Sequence, residues 1–297
     1  MRSHSLFLGI ACAIAAGCGG TVVDIGDPKP PPYRFDAPRL LAELDTTTYA
    51  NQNPTLTGDV LDIYFTSNRG DTAADVWTAH RASRSDPFEP PMLVAEASSP
   101  LYETSPAISV DGLSLYVGSD RDGTTGGLDI WVATRSDRNA PWSALENLTA
   151  LNSTMNDIPR PPGQHGLVMP MASERDVTGG YRTFLAVRPD VNQPFDAMVL
   201  VAGLVGGDTL ADAFLSDDGL TMFYAAAAGG AKPDMYVAWR ASTADRFSLP
   251  TPLTDLNTAA DERDPWLSPD GTLFYFTSDR GNGVLQIYEA TASRRLP

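Results

Sequence analysis

Five short polar stretches have residue types suited to ligand binding, and each lies directly before one of five regularly spaced anchor residues. The anchors are Pro54, Pro106, Pro159, Ala213 and Pro265. The stretches before them are 51–53, 103–105, 156–157, 212 and 262–264. Carboxylates and amides brought together hold a cation, a sugar or a basic peptide end, or they only cap strands and solvate a pore. The expected ligand-binding residues are Asn51, Glu103, Asn156, Glu262 and Asp264.

Catalysis by these carboxylates is the alternative. Glycoside hydrolases use a pair of carboxyl groups, and Glu103, Glu262 and Asp264 would suit that chemistry at the centre of a fold. Glu103 and Glu262 occupy equivalent positions in two repeats, however, so the fold alone explains them. The sequence has no Ser-His-Asp arrangement, no nucleophile elbow, no phosphate loop and no His-rich metal motif. It therefore predicts no catalytic residue, no metal site and no cofactor.

A charged tripeptide, Ser-x-Arg, recurs four times. Its copies are Ser67-Asn68-Arg69, Ser119-Asp120-Arg121, Ser173-Glu174-Arg175 and Ser278-Asp279-Arg280. One interpretation is a ring of arginines that binds an anion. The other is a hairpin turn whose arginine pairs with the aspartate that opens the next strand, Asp75 or Asp129. Because the motif repeats with the chain, a structural role is favoured.

The spacing of the anchors indicates the fold. Consecutive anchors are 52 to 54 residues apart, and each unit contains four strand-like runs. Asp-Gly pairs at 111–112, 218–219 and 270–271 predict tight turns between the first and second runs. A period of about 50 residues with four strands per unit is typical of a β-propeller.

The N-terminal segment is predicted to close the ring. The last unit reaches Pro297 before a fourth strand, and Phe35–Leu44 resembles Phe247–Leu256, which supplies the fourth strand one unit earlier. A blade without its outer strand exposes an unpaired edge. The predicted fold is therefore all-β: a five-bladed propeller of four-stranded antiparallel blades, closed by the N-terminal strand.

Two units depart from the repeat. The third has Arg160-Pro161-Pro162 where the others turn, and it places Pro170 inside a strand. The fourth has Ala226-Ala227-Ala228 in place of Ser-x-Arg. Departures from a repeat occur more often at functional or strained sites, so any specialised side of the disc is expected here.

The repeat resembles that of TolB-like, WD-repeat-like propellers of bacterial periplasmic proteins. The likeness lies in 264–270 (DPWLSPD), in Ser278–Gly281 and in Asp129-Ile130-Trp131. It implies the propeller fold over residues 35–297 and leaves the function open. TolB has six blades and an additional N-terminal α/β domain, so the resemblance does not imply the role of TolB itself.

The N-terminal residues are interpreted as an export signal. Arg2 precedes an apolar run, Leu6–Ala16, which has the length of a signal-peptide core. Ala15-Ala16-Gly17-Cys18 resembles the bacterial lipobox, in which the cysteine is lipidated. The domains are then a signal peptide (1–17), a proline-rich tether (18–34) and the propeller (35–297). The two cysteines, Cys12 and Cys18, precede the propeller, which therefore has no disulfide.

The net charge of the chain disfavours some classes of binding partner. The formal net charge of −16 disfavours nucleic acid and anionic lipid surfaces, because both would be repelled. The functional prediction is a non-enzymatic, monomeric, lipid-anchored binding module of the cell envelope, with the outer membrane favoured. It would present one propeller face to a protein, a peptide or a cell-wall saccharide. The alternatives are a glycan-active hydrolase that uses the central carboxylates, and a purely structural envelope component.

The lipid anchor can be tested at Cys18. We expect Cys18→Ser to release the protein into the soluble fraction and to abolish labelling by a palmitate analogue, because acyl chains hold a protein at a bilayer through buried CH₂ groups. Absence of label from the wild-type protein would contradict the lipobox interpretation.

Overall fold

The computed structural model describes residues 31–70, 73–175, 180–202, 204, 212–227 and 231–295. The signal segment, Cys18 and the tether as far as residue 30 lie outside these ranges and stay predictions. The described residues form strands, turns and loops without an α-helix. Accordingly, this part of the chain contains no helix of the length and apolarity that a bilayer crossing requires.

Strands from each repeat unit assemble into one sheet, or blade. Two short N-terminal strands come first, β1 (Tyr33–Phe35) and β2 (Arg39–Leu40). Blade 1 contains β3 (Asn51–Leu56), β4 (Asp62–Ser67), β5 (Asp75–His80) and β6 (Met92–Leu93). Blade 2 contains β7 (Glu103–Ile108), β8 (Ser114–Ser119), β9 (Asp129–Thr134) and β10 (Glu146–Asn147). Blade 3 contains β11 (Asp157–Pro159), β12 (Val168–Ser173), β13 (Arg182–Val187) and β14 (Ala197–Leu200).

The last two blades follow the same order. Blade 4 contains β15 (Phe214–Leu215), β16 (Thr221–Ala226), β17 (Asp234–Trp239) and β18 (Thr251–Pro252). Blade 5 contains β19 (Glu262–Leu267), β20 (Leu273–Ser278) and β21 (Gln286–Arg294), together with the two N-terminal strands. Neighbouring strands pair antiparallel in every blade, so the prediction of a five-bladed propeller is confirmed.

The turns define two faces of the ring. Asp-Gly turns join the first and second strands of blades 2, 4 and 5. In blade 2, Gly112 has φ +76°, which glycine adopts without steric cost, and Asp111 accepts a bond from the Leu113 N–H (2.9 Å). Ser-x-Arg turns join the second and third strands of blades 1, 2, 3 and 5. Because adjacent strands are antiparallel, these two kinds of turn lie on opposite sides, which we call the Asp-Gly face and the Ser-x-Arg face.

The N-terminal strands close the ring, as predicted. Strand β2 pairs with β21 through Arg39 and Glu289. Strand β1 pairs with the end of β21, with Tyr33 opposite Arg294 and Phe35 opposite Ala292. The pairing therefore begins at Tyr33, two residues before the predicted start, and it covers the edge that β21 would otherwise expose.

Phe35 anchors this closure by burial. Its ring centroid lies 4.7 Å from that of Phe274 in blade 5 and 6.3 Å from that of Phe223 in blade 4. The preceding Arg34 is exposed, as the alternation of side chains along a strand requires. The first strand of the chain thus packs against the last two blades.

We expect Phe35→Ala to destabilise the fold by about 3–5 kcal/mol, the usual cost of truncating a buried phenylalanine. Arg34→Ala, one residue away and exposed, is the matched control and should cost less than about 0.5 kcal/mol. Urea unfolding of both variants measures the difference. Equal stabilities would mean that β1 does not hold the ring closed.

Candidate functional site

The first strand of each blade is its inner strand. In four blades, the first residue of this strand is fully buried and accepts a hydrogen bond from the Ser-x-Arg arginine of the same blade. These residues are Asn51, Glu103, Asp157 and Glu262. Glu103 accepts hydrogen bonds from Ser119 Oγ (2.8 Å), Arg121 Nη2 (3.2 Å) and the backbone N–H of Ser99 (2.8 Å). Equivalent bonds surround Glu262. This position is therefore occupied by contacts within the blade.

The predicted partners of the arginines are wrong, although the predicted structural role fits. The sequence pointed to Asp75 and Asp129, but Arg121 lies with its guanidinium carbon 5.6 Å from the ring centre of Trp131 and reaches back to the first strand. Pairing of the first two strands places Glu103 opposite Ser119, two residues before Arg121, so the guanidinium meets Glu103 while it packs on the Trp131 ring of the third strand. Asp129 instead accepts a bond from the Thr125 N–H (2.8 Å).

The inner strand of blade 3 has one residue fewer before its anchor proline than those of blades 1, 2 and 5, which displaces the predicted Asn156. Counting back from the anchor made Asn156 the equivalent of Glu103, but Asp157 has that position and accepts a bond from Arg175 (2.6 Å). Asn156 accepts a bond from the Leu128 N–H (2.8 Å) and donates to Glu174 (2.8 Å). The residue that blade 3 lacks is the one that forms a β-bulge in the inner strands of blades 1, 2 and 5.

In the other blades, the bulge turns one polar side chain towards the central channel, which the first strands of the five blades surround. The inner strands of blades 1, 2 and 5 shift register just before the anchor proline, and the bulged residues Asn53, Ser105 and Asp264 have φ of 56°, 52° and 57°. Non-glycine residues with such φ are uncommon, and β-bulges re-aim side chains next to functional sites. In blade 3 the register is unbroken.

These residues line a cavity at the channel mouth on the Ser-x-Arg face, which we call the cup. It has a volume of about 190 Å³ and takes residues from all five blades. Its polar lining includes Asn53, Ser105, Arg160, Asp212, Arg263 and Asp264. Of the five residues predicted to converge at the mouth, Asp264 lines the cup, and the other four do not. Ligand binding by the predicted set stays a prediction.

A charged network crosses the cup. Asp264 accepts bonds from Asn53 Nδ2 (2.6 Å) and from the Asn53 N–H (3.0 Å). Arg160 is ion-paired with Asp212 and lies 3.5 Å from Asp264. The network therefore joins blades 1, 3, 4 and 5 through side chains alone.

The two carboxyl groups of the network share one cation, because Arg160 pairs with Asp212 and lies 3.5 Å from Asp264. Burial is the main reason that the pKa of Asp212 rises to about 6; Arg160 opposes this rise, and Asp264 adds to it. Like charges at short range disfavour double ionisation. Asp212 therefore takes up a proton on acidification at a higher pH than an ordinary aspartate does.

The other end of the channel is filled by apolar side chains. Leu56, Ile108, Pro162, Phe214 and Trp266, one from each blade, surround a void of only about 20 Å³ there. The cup is consequently closed at its base. A ligand reaches it from the Ser-x-Arg face.

Sequence reasoning missed Asn53, Ser105, Asp212 and Arg160 as a group. The signal for the first three was their place immediately before an anchor. The signal for Arg160 was the departure of the third unit from the repeat: at the corresponding place the bulged blades have Thr55, Ala107 and Trp266.

Comparison with solved structures identifies the fold. A structure of TolB from Acinetobacter baumannii matches with a TM-score of 0.51 and 15% identity over 82% of this chain. This chain covers 54% of that TolB chain, so it spans about half its length. No protein-family model and no curated protein matches the sequence.

The fold is a TolB-like β-propeller. The same fold relates the chain to glycoside hydrolases. The α-L-arabinofuranosidase PaAbf62A from Podospora anserina, solved with cellotriose, has a TM-score of 0.56 and 10% identity over 82% of this chain and 91% of its own. A thermostable family-43 glycoside hydrolase has a TM-score of 0.55 and 11% identity over 83% and 89%. At these identities the likeness is one of fold alone.

The stability of the TolB-like propeller depends on its buried charge pairs, and substitutions of Glu103 and Arg121 test this dependence. Glu103→Gln should cost about 1–2 kcal/mol, because the amide Asn51 already accepts the arginine of blade 1. Arg121→Ala should cost about 3–5 kcal/mol, since it leaves the Glu103 carboxylate buried without its cation. Urea unfolding compares the two, and a smaller loss for Arg121→Ala would contradict the structural role.

Proposed function

We propose that this protein is a non-enzymatic binding module of the cell envelope and that the cup is its binding site. The observation that supports this is a concave, mixed polar surface built by all five blades and closed at its base. Such a surface suits recognition of a protein, a peptide or a cell-wall saccharide. Nucleic acid is disfavoured by the net charge of −16.

The carboxylates argue against the hydrolase alternative. Glycosidases leave two carboxyl groups free to face the glycosidic bond, about 5–5.5 Å apart in retaining enzymes and about 6.5–9.5 Å apart in inverting ones, whereas Asp212 and Asp264 share the guanidinium of Arg160. Glu103 and Glu262 are fully buried and bonded to their own blades. Neither the arginine-paired aspartates nor the buried glutamates form an open carboxyl pair of the kind that glycoside hydrolysis uses.

The anchor and the location belong to the same proposal. Lipidation at Cys18 would hold a monomeric propeller at a membrane, with the outer membrane favoured and its periplasmic or surface side left open. The proline-rich residues 28–32 would act as a semi-rigid spacer.

The proposal is tested by filling the cup. Gln52 lines it, and Gln52→Trp should place a large ring inside. Leu249→Trp, at a position 79% exposed and outside the cup, is the control. We expect wild type and the Leu249 variant to retain the same partner from solubilised envelope, and the Gln52 variant to lose it.

The same three proteins separate binding from hydrolysis. Incubation with envelope glycans should release no reducing ends from any of them. Retention of the partner by Gln52→Trp would mean that the cup is not the site. Glycan cleavage by wild type and the Leu249 variant but not by the Gln52 variant would establish the hydrolase instead.

A further inference from the structure

The charges around the cup do not balance. The carboxylates of Asp212, Asp264 and Asp261 face the guanidinium groups of Arg160 and Arg263. Arg263 binds Asp261 through two of its nitrogens, which leaves Arg160 to neutralise both Asp212 and Asp264. Among the described residues of this network, one negative charge is in excess.

The excess charge is accessible at one carboxylate. The Asp264 side chain is only 1% exposed, whereas that of Asp212 is 14% exposed. Both line the cavity, so a ligand entering the cup reaches the Asp212 carboxylate first. The charges that face Asp212 are Arg160, Asp264 and Arg263.

The remaining lining suits a positively charged group with a short apolar stem. The side chains of Tyr102 and Tyr181 line the same cavity. Burial is the main reason that the pKa of Tyr181 rises to about 12, so its hydroxyl stays neutral. Aromatic rings attract cations that lie within about 6 Å of their faces, and they pack against methylene groups. A volume of about 190 Å³ accommodates the end of one side chain.

We propose that the cup binds the primary ammonium group of a lysine side chain on a partner protein. This rests on the cup being the binding site of the proposed function. An ammonium group fits better than a guanidinium because one oxygen of Asp212 is already occupied by Arg160. A second guanidinium could not form the two-pronged contact that arginine makes with a carboxylate, whereas an ammonium needs only single acceptors.

The experiment compares Nα-acetyl-lysine amide with its Nε-acetylated form by thermal melting of the full mature chain. At saturating probe and about pH 7.5 we expect only the charged probe to raise the melting temperature, by about 5 °C. Asp212→Asn should abolish the shift. Asp217→Asn, the same change at the Asp-Gly face, should leave it intact.

Acidification supplies a test that needs no variant. The ammonium keeps its charge between about pH 7.5 and pH 5, while the Asp212 carboxyl, with a pKa raised to about 6, gains a proton. Affinity of wild type for the charged probe should therefore fall about tenfold. An affinity that does not change over this range would overturn the proposal.

Three further outcomes would overturn the proposal, and they distinguish its failure from failure of the proposed function. Glucosamine acting where Nα-acetyl-lysine amide does not would assign the cup to an amino sugar. Equal effects of charged and acetylated lysine probes, with the envelope partner still lost in Gln52→Trp, would keep the cup and reject the ammonium. Retention of the partner by that variant would reject the cup itself.

Discussion

The hydrogen bonds between Asn53 and Asp264 lie at the seam where the first blade meets the last, and they link residues 211 positions apart. They can form only if the ring is closed. Closure in turn requires β1 and β2 to complete blade 5, because the sheet would otherwise end in an exposed edge. The cup is therefore a product of closure: no single blade contains it, and opening the ring at any seam would separate its residues.

Charged side chains that recur in several blades differ from those that occur in one blade only, and the recurring ones stabilise the fold. A second set of arginines follows the third strand. Each donates from Nε to a carbonyl oxygen of the turn between the first two strands, at 2.7–2.9 Å. Each guanidinium carbon also lies 4.2–4.5 Å from the centre of an aromatic ring. Its members are Arg81, Arg135, Arg188 and Arg240. Like the Ser-x-Arg arginines, they make the same contacts in four of the five blades. Arg160 follows no such pattern, and it lies in the cup.

The fold could be predicted from sequence because its signals are local and repeated. The anchors recur every 52 to 54 residues and the Asp-Gly pairs recur in three units, so an error in one copy is corrected by the others. Phe35–Leu44 could be placed in the same way, because it resembles Phe247–Leu256. The site could not be predicted as well, because it depends on single residues. One bulge residue decides whether Asn156 or Asp157 meets the arginine, and spacing from a proline does not reveal it.

The partners of the Ser-x-Arg arginines could not be predicted from the sequence for a related reason. Asp129 is closer in sequence to Arg121 than Glu103 is, yet the ring of Trp131 lies beneath the guanidinium and Glu103 receives the bond. The partner is set by the pairing of the first two strands, which places Glu103 opposite Ser119, and not by distance along the sequence. Arg160 was signalled only by the irregular third unit, whose inner strand lacks the bulge.

A carbon-detected NMR titration of the aspartate carboxyl groups in the unliganded protein measures the crowding of charge in the cup most directly. We predict one carboxyl with a midpoint of about 6, absent from Asp212→Asn, because burial and the neighbouring Asp264 raise the pKa of Asp212. If every aspartate in the native protein titrates below about pH 5, close to the ordinary range, the burial and crowding of charge that the account assigns to Asp212 are absent, and the account is contradicted.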